Sequence, residues 1–297
     1  MGDYASWGLG EGDELIAGRT VVHSIGGGNR YEVFLVWDEE LFSLAVAKVL
    51  RPDQADSEHA LRELAEEARV LERLAHPVLI RSFDATLEGP RPQVLIEHLE
   101  GPSLRSLLSR GGALEAQQLL PLALHVNGAL AYMHGQGYVH LDVKPDNIVM
   151  GVPPRLIDLS IARDLERAAR SRGPLGTDAY MAPEQALAER DGQPPMGPPA
   201  DVFGLGATLH HCISGRRPFP RPKEARQSDD PAVRFPQLER PAEPLPSGVD
   251  PRLRSLLERM LEHDPAARPT APDVTEELEP LVSELPRKIS LSRRMRI

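Results

Sequence analysis

Of the 34 basic residues, 30 are arginine and only four, Lys48, Lys144, Lys223 and Lys288, are lysine. Two of these stand in settings unlike a surface. Lys48 lies inside the apolar run LAVAKVL, and Lys144 inside YVHLDVKPDNIVM, residues 138 to 150, where Asp142, Lys144, Asp146 and Asn147 fall within six positions between apolar runs. A compact ammonium with rotatable donors suits phosphate oxygens as a point charge, whereas arginine offers a planar fork. Read alone, the polar cluster is equally a solvated turn bent at Pro145. Upstream, Gly26 and Gly28 in GGGNRYEVF form a turn whose backbone N–H groups could approach a phosphate, although tight β-turns use glycine more often. Glu67 sits three residues after Leu64 and four before Leu71, which places a carboxylate on the apolar face of a helix and calls for a cationic partner. Asp158 follows in RLIDLS. The order of glycine turn, Lys48, Glu67, Asp142–Asn147 loop and Asp158 gives these five weak signals their joint weight.

The elements that must hold these groups fall into two regions. From Thr20 to about Glu100, alternating positions such as Tyr31, Val33, Leu35 and Trp37 predict twisted antiparallel strands, interrupted by one helix from Ser57 to Leu74 with Leu61, Leu64, Ala68, Leu71 and Leu74 on one face. Beyond Gly101 the pattern becomes helical, over Leu104–Leu108, Ala116–His134, and again from Pro251. The expected fold is α+β, with a small antiparallel β lobe (20–100) and a larger, mainly helical lobe (101–284), flanked by an extension (1–19) and a basic tail (285–297). QPPMGPP at 193 to 199 and the nine prolines of the segment from Arg216 through Pro251 predict loops and short turns.

Composition excludes several classes. A formal charge of -10 argues against a non-specific grip on nucleic acid. One cysteine, Cys212, in an apolar run, excludes an internal disulfide or a multi-cysteine zinc site. No apolar run of about 18 residues predicts a membrane span, and the start lacks the features of a secretory signal, so a cytoplasmic setting is expected. Tethering through the basic run Arg287–Arg296 would become relevant if the natural chain continues past Ile297.

With these residues in their order, the sequence resembles the eukaryotic-type serine/threonine protein kinases of bacteria over about residues 20 to 284. The motifs are Gly26-x-Gly28, AVAK at 45–48, HLDVKPDN at 140–147, DLS at 158–160, MAPE at 181–184, DVFGLG at 201–206 and ARPT at 267–270. The resemblance implies ATP and Mg2+, with Mn2+ as the other ion that would serve, and protein substrates carrying serine or threonine. Lys48, fixed by Glu67, would hold the α and β phosphates; Asp158 and Asn147 would hold the metal; Asp142 would accept the hydroxyl proton, and Lys144 would steady the γ-phosphate. Backbone groups from Glu97 to Leu99 would bind adenine, with Val33 and Ala47 above the ring and Val149 below it. Thr177 would contact Asp142 and Lys144 in the substrate platform, and Arg268 would pair with Glu184. The other functions compatible with this set are a nucleotide-binding scaffold without transfer and a small-molecule kinase.

Three positions depart from the pattern. Tyr31 replaces the third glycine of the turn, Leu141 replaces the arginine before the catalytic aspartate, and Ser160 replaces the glycine of the metal motif. Leu141 has the sharpest consequence, because that arginine is the cation which a phosphate on the activation segment neutralises. Between Asp158 and Gly176 the hydroxyls are Ser160 and Ser171, and Arg163, Arg167, Arg170 and Arg172 already make the segment basic. The expected outcome is independence from activation-segment phosphorylation: Ser171→Ala and phosphatase-treated protein keep their initial rate on an exogenous acceptor. A fall of about tenfold, roughly 1.4 kcal/mol of barrier, would overturn this.

Overall fold

The computed structural model describes residues 4–187 and 194–286 and divides into two compact units, Met1–Gly101 with Arg155–Ala162, and Pro102–Pro154 with Arg163–Ile297. The first unit is a six-stranded antiparallel sheet of β1 (Glu14–Ile16), β2 (Arg19–Gly27), β3 (Tyr31–Asp38), β4 (Ser43–Leu50), β5 (Ser82–Thr86) and β6 (Gln93–Glu97), in the order β1-β2-β3-β4-β6-β5. Its one helix, α1 (Glu58–Arg73), starts at Ser57, whose hydroxyl accepts from the Ala60 N–H, and buries Ala60, Leu64, Glu67, Val70 and Leu71.

Both faces of the sheet are occupied, and this shapes the sequence of its strands. Residues paired across β3 and β4 share a face, so Phe34 lies with Ala47 and Val36 with Ala45 on one side, while Val33 lies with Lys48 and Leu35 with Val46 on the other. The first side forms a core with Leu15, Val21, Val49 and Leu95, against which Trp7 and Leu9 pack. Residues before β2 are thus a cover for the sheet. A sheet covered on both sides needs apolar residues at successive positions, hence the unbroken runs in VFLV and LAVAKVL.

The short strand β9 (Arg155–Leu156) belongs to this unit because its Leu156 N–H donates to Val78 O at 2.6 Å and its carbonyl accepts from Ile80 N–H at 3.0 Å. That attachment carries Asp158, three residues after Arg155, to Lys48.

The second unit comprises α2 (Leu104–Gly111), α3 (Ala116–Gly135), β7 (Tyr138–Val139), β8 (Ile148–Val149), β10 (Arg163–Asp164), α4 (Leu165–Arg170), α5 (Pro183–Ala186), α6 (Pro198–Ser214), α7 (Pro231–Arg234), α8 (Pro251–Met260) and α9 (Ala271–Ser283). Helices α3 and α6 are its centre, with α9 packed on α3 and α8 on α6. Strands β7 and β10 pair antiparallel. The loop expected at 193–199 ends earlier than its prolines imply: Pro198 and Pro199 open α6, where a missing N–H costs nothing. Gln193 and the basic tail from Arg287 lie outside the described residues. No helix among the described residues is long and apolar enough to cross a membrane.

Two buried polar groups fix the second unit. Arg268 forms a bidentate pair with Glu184 at 2.7 and 2.9 Å, donates to the carbonyls of Glu262, Pro199 and His263, and lies 4.9 Å over the Phe203 ring. His211 accepts at Nδ1 from the Tyr180 hydroxyl at 2.7 Å, since that hydroxyl is itself the acceptor of Arg105 at 2.6 Å and must spend its proton on the ring. Arg105 continues to Asp146, in the loop between β7 and β8, at 3.0 Å.

Removing one partner of a buried pair strands the other charge, so Arg268→Leu is expected to cost about 3–5 kcal/mol in denaturant melts, with partial recovery in the double variant Arg268→Leu/Glu184→Leu. His211 supplies a second test. Burial, then the Arg105 and Arg217 charges, push the His211 ring down to about 4. The unfolded chain takes up its proton near pH 6.5 and the folded chain does not, so stability present above pH 6.5 is lost as the pH falls towards 4. The loss approaches about 1.4 kcal/mol per pH unit. His211→Gln, which keeps an acceptor for Tyr180, should flatten the pH dependence of the melting temperature between pH 7.5 and 5.

Candidate active site

In the first unit, β4 delivers Lys48 and α1 delivers Glu67 to one point. Lys48 Nζ donates to Glu67 Oε1 at 2.8 Å and Oε2 at 2.9 Å, and to Asp158 Oδ1 at 3.2 Å. Burial alone would lower the Lys48 ammonium, but Glu67 and then Asp158 outweigh it and hold it above its ordinary value. Burial raises the Glu67 carboxyl, an effect that Lys48 only partly offsets. Asp158 has a positive φ of 65°, a conformation that aspartate tolerates better than most residues, and its carboxylate meets the ammonium.

The glycine turn before this cluster is a hairpin closed by Gly28 N–H donating to Tyr31 O at 3.1 Å. Gly26 lies at a register shift in β2, and a Cβ at Gly26 or Gly28 would meet nothing within 4 Å. Gly27 is the sterically required member: at φ +145° its Cβ would lie 2.2 Å from Tyr31 O. The x of a G-x-G pattern gives no hint of this. Arg51, just after β4, braces the hairpin through Nε to Gly28 O at 2.6 Å, and Arg30 pairs with Glu63 of α1.

One expectation for the base site is corrected. Ala47 is fully buried with Phe34 and Leu95 in the core under Trp7 and Leu9, on the face opposite Lys48 and Val33. Two residues separate same-face positions in a strand, so the neighbour of Lys48 on its own face is Val46. Val33 is half-buried on the Lys48 face. Glu97 ends β6 with its N–H donated to Arg81 O and its carboxylate engaged by Arg81 and Arg155, so its side chain is committed to the fold. Leu99 follows in irregular backbone, half-buried.

In the second unit, Asp142 is the centre. Its Oδ2 accepts from Lys144 Nζ at 2.6 Å and from Asn147 Nδ2 at 3.1 Å, while its Oδ1 is buried with no hydrogen-bond partner among the described residues. Lys144 Nζ also donates to Thr177 Oγ1 at 2.6 Å, joining the loop to the segment before α5. Asn147 donates a second bond to Asp142 O, which fixes the amide and leaves its oxygen as the ligand it would offer a cation. Val149, half-buried in β8, is bridged to Ser103.

The loop is held in this shape from α6. Asp201 accepts from His140 N–H at 2.8 Å, Leu141 N–H at 2.7 Å and His134 Nε2 at 2.9 Å. Leu141 takes a φ of 65° as a result, and its carbonyl accepts from Gln185 Nε2 at 2.9 Å. Gln185 also donates to Leu175 O, so one amide ties the segment around Gly176 to the residue before Asp142. Ser171 is engaged as well, accepting from Arg163 and donating to Arg167 O.

Sequence reasoning missed Gln185, Arg105 and Asp178. Asp178, next to Thr177, receives Arg221 at 2.8 Å and Arg234 at 3.3 Å; burial would raise its carboxyl, but these two guanidinium groups hold it below the ordinary range. Gln237 Nε2 caps the carbonyls of Asp178 and Met181. A strongly polar residue beside Thr177 and arginines in a proline-rich stretch were the available signals, but nothing in their spacing pairs them.

Residues 19–278 match the family described as "Protein kinase domain". The chain is 31% identical over 261 residues to the serine/threonine-protein kinase pkn2 of Myxococcus xanthus, 32% identical over 232 residues to the serine/threonine-protein kinase PkaA of Streptomyces coelicolor, and 30% identical over 252 residues to the serine/threonine-protein kinase PknA of Mycobacterium tuberculosis. The matches cover 84%, 75% and 81% of this chain but only 30%, 40% and 56% of those proteins, so the chain spans roughly a third to a half of the length of these relatives. With the match running through both units and taking in every polar group described above, the chain belongs to the protein kinase family, among the eukaryotic-type serine/threonine kinases of bacteria.

Proposed function

We propose that the chain is an ATP-dependent protein kinase that transfers the γ-phosphoryl group to serine and threonine hydroxyls, its own included. The observation that carries this reading is the divided carboxylate of Asp142. One oxygen is fixed by Lys144 and Asn147, and the other is buried without a partner, a state that is costly unless a donor arrives to fill it. A substrate hydroxyl is such a donor. As its oxygen bonds to the γ-phosphorus, its proton passes to Asp142 Oδ1, and the bond from that phosphorus to the β–γ bridging oxygen breaks with its electron pair leaving on ADP.

Lys144 lies between Asp142 and Thr177, where its charge steadies the transferring group and its second bond sets the platform for a serine or threonine side chain. Lys48, braced by Glu67, supplies the point charge for the α and β phosphates. The Asp158 carboxylate and the Asn147 amide oxygen are hard ligands that fit Mg2+, the ion proposed here, with Mn2+ served by the same set. When bound, such an ion would neutralise charge on the phosphate oxygens. Protein substrates, ATP as donor and the buried, free thiol of Cys212, pushed up to about 12 by burial, fit a reducing cytoplasmic setting.

The reading is tested with purified chain and radiolabelled ATP, offered a generic protein acceptor and, separately, small-molecule acceptors. Label is expected in protein, on phosphoserine and phosphothreonine with phosphotyrosine absent. Asp142→Asn should abolish transfer while leaving ATP affinity nearly intact, and Lys48→Met should weaken both. Autophosphorylation of Asp142→Asn at the unaltered rate would remove the base from the mechanism, and label on small molecules alone would replace the protein substrate.

A further inference from the structure

Lys48 has a fourth neighbour besides three carboxylate oxygens. Its Nζ lies 4.5 Å from the centroid of the Tyr31 ring, on the residue that stands where the glycine turn resumes as β3. An ammonium has three donors, and here Glu67 Oε1, Glu67 Oε2 and Asp158 Oδ1 take all three while the ring covers a further side. Only 13% of the Lys48 side chain stays exposed, so a phosphate oxygen gains room at the ammonium when a present neighbour yields. Glu67 is fixed on α1, and Asp158 is the ligand proposed for the metal. The neutral ring is the neighbour with nothing else to do.

The ring does not hold this place by itself. The residues bracketing Tyr31 are fastened to the segment before β1, which lies ahead of the family match at residue 19. Glu32 accepts from the Ser6 hydroxyl at 2.7 Å and from the Trp7 N–H at 2.9 Å. Leu50, paired with Tyr31 across the sheet, accepts from the Trp7 indole at 2.8 Å. Arg51 joins Ala5 O at 2.7 Å to Gly28 O at 2.6 Å and lies over the Tyr4 ring. Residues 4–7 are therefore a strap across the base of the hairpin.

We infer that Tyr31 is a cover over the phosphate-binding charge, held in place by the strap, and that triphosphate binding displaces it. The inference rests on the assignment of Lys48 to the phosphates. A ring that competes for the ammonium acts on phosphate-bearing ligands and not on the base. Attraction between an ammonium and an aromatic face is strong enough to be read in affinity and requires only the π-face, so phenylalanine should replace tyrosine in this role. The Tyr31 hydroxyl is pushed up to about 12, chiefly by burial, so it carries no charge that would add to the effect.

The experiment measures binding of Mg-ATP and of adenosine by calorimetry to four proteins: the unaltered chain, Tyr31→Phe, Tyr31→Leu, and Ser6→Ala/Trp7→Phe. Tyr31→Leu is expected to bind ATP about threefold to tenfold more tightly with adenosine affinity unchanged, and Tyr31→Phe to match the unaltered chain. Loosening the strap should tighten ATP binding by a smaller factor. That gain should vanish in the Tyr31→Leu background, because strap and ring act through one contact. Thermal melts and adenosine binding establish that each variant is folded. Unchanged or weaker ATP binding by Tyr31→Leu, an equal change for adenosine, or a strap effect that persists without the ring would each overturn the inference. An unaltered chain that binds ATP no better than adenosine would overturn the assignment of Lys48 as well. ATP binding well above adenosine with a neutral Tyr31→Leu would overturn the cover alone.

Discussion

A carboxylate with no access to water must collect hydrogen bonds, and Asp201 collects three, from the backbone of His140 and Leu141 and from the His134 ring. The first two come from consecutive N–H groups, which forces the backbone to turn at Leu141 into a conformation that leucine adopts reluctantly. That strain is what presents Asp142 away from the strand. The Leu141 carbonyl is then free to take Gln185, and Gln185 in turn secures the stretch containing Gly176, where any larger residue would place its Cβ 2.7 Å from the same carbonyl. The loop around Asp142, the stretch containing Gly176 and the start of α5 thus depend on one buried anion at the first turn of α6.

Much of this was legible in the chain before any coordinates. The helix carrying Glu67 follows from leucine spacing alone, and a carboxylate on its apolar face implies a cationic partner. What failed to show was of three kinds. The resemblance puts Ala47 at the base site, yet adjacent strand residues face opposite ways, and only the register of β3 against β4 shows which face carries the site. Gln185, Arg105 and Asp178 act through partners 43 to 75 positions away, as in Asp178 with Arg221, Gln185 with Leu141 and Arg105 with Tyr180, and no local periodicity encodes a contact between distant loops. The strap was hidden for a third reason: Trp7 and Leu9 stand among glycines and acids, and their burial depends on a sheet face that the strands, apolar throughout, do not declare unfilled.

The scarcity of lysine also has a structural counterpart. Arginines supply the forks that need two or more acceptors at fixed angles, as in Arg268 at Glu184, Arg51 across the hairpin base and Arg105 between Asp146 and Tyr180. The two lysines at the candidate site each gather partners from different segments around a single nitrogen, Lys48 from α1 and the Asp158 segment, Lys144 from its own loop and Thr177. A guanidinium is too wide and too directional for either place.

The proline-rich stretch between α6 and α8 reaches the platform chiefly through Arg221, Arg234 and Gln237 around Asp178 and Met181. The catalytic loop, by contrast, is anchored from α6 and α5. Drift in the intervening prolines and acidic residues leaves those anchors untouched so long as the two forks and the amide remain. Mutation in that stretch can therefore reshape the surface beside Thr177 while the hydrogen bonds around Asp142 stay as they are.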